Sequence, residues 1–83
     1  MSPPAVTQPL TQPAAIVAIF RRVLEDDDIG DATDFFEAGG DSLLATRVLS
    51  AIAREYDVEL TFDEFVVGPS PAALAALVES RRP

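Results

Sequence analysis

This 83-residue chain contains no cysteine, no histidine and no lysine. Without Cys there are no disulfides, so a domain this small must hold together by packing alone. A chain of this length hides only about 60% of the surface it exposes when unfolded. The lack of Cys also suits a reducing compartment. Without His no Ser-His-Asp triad can form. Nucleophilic Cys and zinc ligands of the His or Cys type are excluded as well. Six arginines face 14 acidic residues, for a formal charge of −8. So few cations exclude phosphate-backbone recognition, and no nucleic-acid partner is expected. The acidity either favours partners with basic docking surfaces or simply keeps a small domain soluble.

Long apolar runs are also missing. The longest are Ala14–Phe20 and Ala72–Val78, whereas a membrane span needs about 20 residues. The start of the chain has no signal-peptide pattern. The expectation is a cytoplasmic protein with no membrane contact.

What is present is helical periodicity. Met1–Gln12 is rich in Pro, Thr and Gln, and residues 1–12 read as a flexible leader. Ile16, Ile19, Phe20 and Val23 form an apolar stripe that predicts a helix over Pro13–Leu24, with Thr11 as its N-cap. Asp41 is expected to cap a second helix from Ser42 to Tyr56. Leu44, Ala45, Val48, Leu49, Ile52 and Tyr56 fall on one side of it, and Leu43, Arg47, Ser50 and Arg54 on the other. Thr61 and Glu64 have capping-box spacing at the head of a short third helix, with Phe62 and Phe65 pointing inward. Ser70 followed by Pro71 announces the last helix, with Leu74, Leu77 and Val78 on its buried side. No segment alternates with period two. The prediction is an all-α fold, a small bundle of three main helices plus one short helix. It occupies residues 13–80, followed by a short tail at 81–83.

The connection Glu25–Asp41 carries eight acidic residues and no basic one. Connections this long are usually functional or carry their own packing, and Ile29, Phe35 and Phe36 can anchor this one. Asp34 and Glu37 predict one short helical turn. An EF-hand frame starting at Asp26 places Asp28 third and Glu37 twelfth. It fails at the fifth position, Gly30, and at the sixth, Asp31, so no metal site is expected. Gly40-Asp41-Ser42 lacks the closing Gly of a nucleophile elbow, since Leu44 stands there. No P-loop or dinucleotide fingerprint occurs.

The segment from Phe35 to Leu44 therefore reads as an aromatic anchor, a Gly pair and a capped helix start. Ser42 lies in the first turn, where free backbone N–H groups and the positive dipole end favour an anion. Gly39 and Gly40 clear side chains from the approach to its hydroxyl. No group nearby can take its proton. The pattern suits a serine modified by another protein, or else a Ser and Gly pair that only cap and turn.

Asp34, Phe35, Phe36, Glu37, Ala38, Gly39, Gly40, Asp41, Ser42 and Leu43 resemble the phosphopantetheine attachment motif of the peptidyl carrier proteins of nonribosomal peptide synthesis. The likeness covers about Pro13 to Ser80. It implies an acyl-carrier-like fold with 4'-phosphopantetheine on Ser42, donated by coenzyme A through a phosphopantetheinyl transferase that brings its own magnesium. It implies a carrier with no catalysis of its own, monomeric when free. An adenylating or acyl-transferring enzyme loads it, and condensation or tailoring enzymes receive the cargo. Leu43, Thr46 and Arg47 are the implied partner contacts, although Leu43 could instead pack back on the preceding loop. Arg47 and Arg54 on the outer face of the second helix favour the peptidyl type over fatty-acid or polyketide carriers. Thr46 and Ser50 stand where many carriers have apolar contact residues. The rival readings are a polyketide-type acyl carrier, an unmodified acidic interaction module and a calcium-binding module.

Overall fold

The computed structural model describes residues 11–81, so most of the expected leader lies outside the described residues. Four helices follow one another: α1 (Pro13–Leu24), α2 (Ser42–Tyr56), α3 (Phe62–Val67) and α4 (Pro71–Arg81). The all-α expectation holds. The last helix includes Arg81, one residue past the expected boundary, and its guanidinium pairs with Glu64 of α3.

Local chemistry sets most of these boundaries. The Asp41 carboxylate accepts the Leu44 N–H at 2.9 Å and starts α2. Thr61 and Glu64 form a complete capping box on α3, at 3.1 and 2.9 Å. Ser70 Oγ accepts the Ala73 N–H at 3.3 Å, with Pro71 at the first helical position. Glu25 and Asp57 end α1 and α2 in the left-handed conformation, at φ 56° and 58°. Thr11 does not cap α1. The cap position is Gln12, whose side chain does not cap the helix, and the Thr11 N–H reaches Glu79 Oε1 of α4 at 2.7 Å.

α1 packs on both α2 and α4, and α2 meets α3. The core is Ile16, Val17, Ile19 and Phe20 from α1, Ala45, Val48, Ala51 and Ile52 from α2, and Leu74, Ala75 and Val78 from α4. Leu44, Leu49 and Leu77, expected inside, are only half-buried. Small residues are buried instead: Ala45 and Ala51 of α2 and Ala75 of α4.

At the centre sit three fully buried rings. Phe20 and Phe35 meet edge-on at 5.0 Å, and Phe35 and Phe65 at 5.1 Å. Phe36 packs against Phe35 and Phe65 from the half-buried rim. Phe62 corrects the sequence reading, because it is 40% exposed and does not point inward. Phe62 shares a face with Phe65 but sits at the very start of α3, whereas Phe65, one turn on, is buried. Phe62 touches only the edge of that cluster, 6.5 Å from Phe36.

Candidate functional site

The long connection is tied down at three places. Arg21 Nη2 donates to the Ile29 carbonyl at 3.2 Å. The Ala72 N–H donates to the Asp31 carbonyl at 2.9 Å, and the Phe35 N–H to the Pro69 carbonyl at 2.8 Å. Ile29 and Phe35 are buried, so the segment has apolar anchors as well. Its acidic side chains also serve the backbone: Asp26 Oδ1 accepts the Asp28 N–H at 2.8 Å.

Asp34 then opens a single tight turn. Its Oδ1 accepts from the Phe36 and Glu37 N–H groups at 2.9 and 3.0 Å. The Ala38 N–H donates to the Asp34 carbonyl and the Gly40 N–H to the Phe35 carbonyl, both at 3.0 Å. The turn expected from the Asp34 and Glu37 spacing is present, with the Asp34 half of the capping box made.

The Gly pair follows, and its two members answer different demands. Gly39 has φ +103°, a conformation that side chains resist. Gly40 lies against the buried Phe35 ring, where an added Cβ would come within 2.2 Å of Cε2. These constraints explain the pair better than clearance around the hydroxyl does. They also fix where the chain enters α2.

Ser42 is the first residue of α2 and is exposed. Asp41 already supplies the cap, so Ser42 is not needed for that task. Its carbonyl accepts the Thr46 hydroxyl at 3.0 Å, one turn on. As the first residue of α2, Ser42 belongs to the turn whose backbone N–H groups lack helical partners, where a phosphodiester would be favoured. The chain has no His, and the neighbouring carboxylate, Asp41, accepts the Leu44 N–H through Oδ1. The site presents an exposed hydroxyl at the head of a helix.

Leu43 is 64% exposed and does not fold back onto the preceding loop. Thr46 and Arg47 are exposed beside it. The structure adds Arg22 and Val23 of α1, which share a groove with Leu43, Thr46, Arg47 and Arg54. The outer-face spacing of Leu43, Arg47, Ser50 and Arg54 is legible in the sequence. The contribution of α1 depends on how the two helices cross, which the sequence does not display. Among the described residues, no group of three or more acidic side chains gathers as a metal site, and no helix is long and apolar enough to cross a membrane.

Comparison with known proteins agrees with this geometry. Residues 14–78 match the family model described as phosphopantetheine attachment site. Tyrocidine synthase 2 of Brevibacillus parabrevis is 36% identical over 66 residues, covering 80% of this chain and 2% of that protein. Phosphinothricin tripeptide synthetase PhsC of Streptomyces viridochromogenes is 36% identical over 76 residues, covering 89% of this chain and 7% of that protein. The chain thus spans only a small fraction of these relatives. Among solved structures, one similar chain belongs to the complex of the phosphopantetheine transferase Sfp with coenzyme A and a peptidyl carrier protein. The TM-score is 0.81 at 35% identity, over 93% of this chain and 97% of that one. The solution structure of a prototype for the peptidyl carrier domains of modular peptide synthetases gives a TM-score of 0.73 at 38% identity, over 80% of this chain and 87% of that one. Sequence, fold and site together show that the chain belongs to the phosphopantetheine attachment family, as a carrier domain of the peptidyl type.

Proposed function

We propose that Ser42 is the attachment point of 4'-phosphopantetheine, and that the carrier delivers an aminoacyl or acyl group within a nonribosomal peptide-type pathway. The observation that carries this reading is the division of labour at the head of α2. Asp41 caps the helix, so the exposed Ser42 one position later has no structural task. In the loading reaction the Ser42 oxygen forms a bond to the phosphorus next to pantetheine in coenzyme A. The phosphoanhydride P–O bond breaks, 3',5'-adenosine bisphosphate leaves, and the hydroxyl proton passes to a base of the transferase. The thiol of the arm supplies the thioester chemistry. The protein's own part is to hold Ser42 clear of side chains, to place the phosphodiester at a helix N-terminus, and to offer a docking face.

Gly39, Gly40 and Asp41 set the backbone path into Ser42, and Leu43, Thr46 and Arg47 make the adjoining face for partner enzymes. A transferase, an adenylating or acyl-transferring loader and downstream condensation or tailoring enzymes are those partners. Residues 13–80, extended by Arg81, are the carrier unit. Its setting is the cytoplasm, where coenzyme A is available as donor.

The test is intact-protein mass after incubation with coenzyme A, magnesium and a promiscuous phosphopantetheinyl transferase. Wild type should gain one phosphopantetheine, and Ser42→Ala none. If a validated transferase leaves wild type unmodified, an unmodified acidic interaction module becomes the better reading.

A further inference from the structure

Beside Ser42, α1 and α2 enclose an open groove of about 400 Å³. Its α2 wall begins at Leu43, next to Ser42, and continues through Thr46, Arg47 and Ser50 to Arg54. Arg22 and Val23 face it from α1. Three of the six arginines therefore converge on one groove in a chain of formal charge −8. Two acids bear on them. Glu25 lines the rim, and Glu55, the only acid within α2, pairs with Arg22 at 3.6 Å. Arg47 and Arg54 have no acidic partner among the described residues.

The spacing along α2 matches a tethered ligand. At a rise of 1.5 Å per residue, Arg47 lies about 7.5 Å and Arg54 about 18 Å along the axis from Ser42. A phosphopantetheine arm has roughly 14 bonds from the serine oxygen to its sulfur. At the rise of an extended chain these span about 16 Å. An arm laid along the groove brings its cargo to Arg54.

We infer that this groove cradles the protein's own arm when the cargo carries a free carboxylate, with Arg54 binding that carboxylate and Arg47 flanking the arm. The inference rests on Ser42 being the attachment point. A guanidinium and a carboxylate form a charge-assisted, planar pair that a neutral acyl group cannot offer. Elsewhere on this acidic molecule an anionic cargo meets repulsion, which concentrates its preference on the groove. The tether makes the contact intramolecular, so a weak pair suffices to populate it.

The experiment compares two cargoes of equal length. A promiscuous transferase moves the whole acyl-phosphopantetheine from glutaryl-coenzyme A or pentanoyl-coenzyme A to Ser42, and mass confirms each loading. Amide chemical shifts are then compared with those of the protein bearing the bare arm. Glutaryl loading should shift Val23, Thr46, Arg47, Ser50 and Arg54, whereas pentanoyl loading should shift only residues around Ser42. Arg54→Gln, an exposed change, should load equally well and erase the glutaryl-specific shifts. Identical shifts for the two loaded cargoes, or glutaryl shifts that survive Arg54→Gln, would overturn the cradle and leave the carrier reading intact. Absence of loading in the mass spectrum would overturn the attachment at Ser42, and the cradle with it.

Discussion

A Cβ at Gly40 would lie 2.2–2.8 Å from three carbons of the Phe35 ring, and that ring is fully buried with no room to retreat. One residue earlier, a Cβ at Gly39 would meet nothing within 4 Å, yet the backbone there has φ +103°. Gly39→Ala therefore acts through backbone strain, at about 1–3 kcal/mol. Gly40→Ala acts through overpacking, also about 1–3 kcal/mol. The single losses are alike in size, but a second substitution separates them. Phe35→Leu opens space beside residue 40, so its cost and that of Gly40→Ala should sum to more than the double variant loses. Phe35→Leu with Gly39→Ala should be additive. Urea denaturation of the single and double variants and wild type measures both couplings, and additivity in the Gly40 pair would show that the loop, not the ring, absorbs the clash. From sequence the pair reads as open access to Ser42. The ring under Gly40 is invisible there, because the fold of Phe35 back under its own turn is a tertiary fact.

At the scale of the helix, the sequence was most legible wherever a side chain bonds its own backbone. Asp41, Thr61, Glu64 and Ser70 mark their helix starts because capping spans only three residues. Thr11 misled because α1 starts at Pro13 and puts Gln12 at the cap position, one residue after Thr11, whose N–H is held by Glu79 far along the chain. Phe62 shares a helix face with Phe65, but as the first residue of α3 it reaches only the edge of the aromatic cluster, which spacing along the chain does not show. The partnership between α3 and α4 was equally out of sight: Glu64 closes the capping box of α3 and also pairs with Arg81 in the last turn of α4. The bonds from Arg81 and the Thr61 N–H lower the Glu64 pKa from 4.5 to about 2. A carboxylate depressed in the fold contributes its full stabilisation above its unfolded value and loses it as pH falls through the folded one. The contribution should thus be complete above pH 4.5 and fade towards pH 2. Glu64→Gln keeps an oxygen for the Thr61 N–H but not the charge. Its stability deficit relative to wild type should be constant near neutrality and shrink between those two pH values. Thermal melts at stepped pH measure it, and a deficit that does not change with pH would remove the ion pair from the account.

Over the whole molecule, α1, the acidic connection and α3 are joined through one aromatic group. Phe20, Phe35 and Phe65 come from three separate segments, and all three rings are fully buried. The sequence shows that these residues are apolar and where most of them sit on their helices. It does not show which of the adjacent Phe35 and Phe36 belongs to the core, since a turn has no period that would sort them. The structure assigns the centre to Phe35, which contacts Phe20, Phe36 and Phe65, and leaves Phe36 half-buried at the rim. A domain of 83 residues has a total stability of about 4–12 kcal/mol. Phe35→Ala, at about 3–5 kcal/mol, removes a large share of it. It should also free the path into Ser42, because Gly40 rests on that ring. Phe36→Ala gives up only part of a side chain's burial, less than the roughly 1.5–3 kcal/mol of a complete one. In urea, followed by circular dichroism, the Phe35 variant should therefore unfold well before the Phe36 variant. The reverse order would move the hub of the fold from the buried ring to the rim, and with it the support beneath the attachment loop.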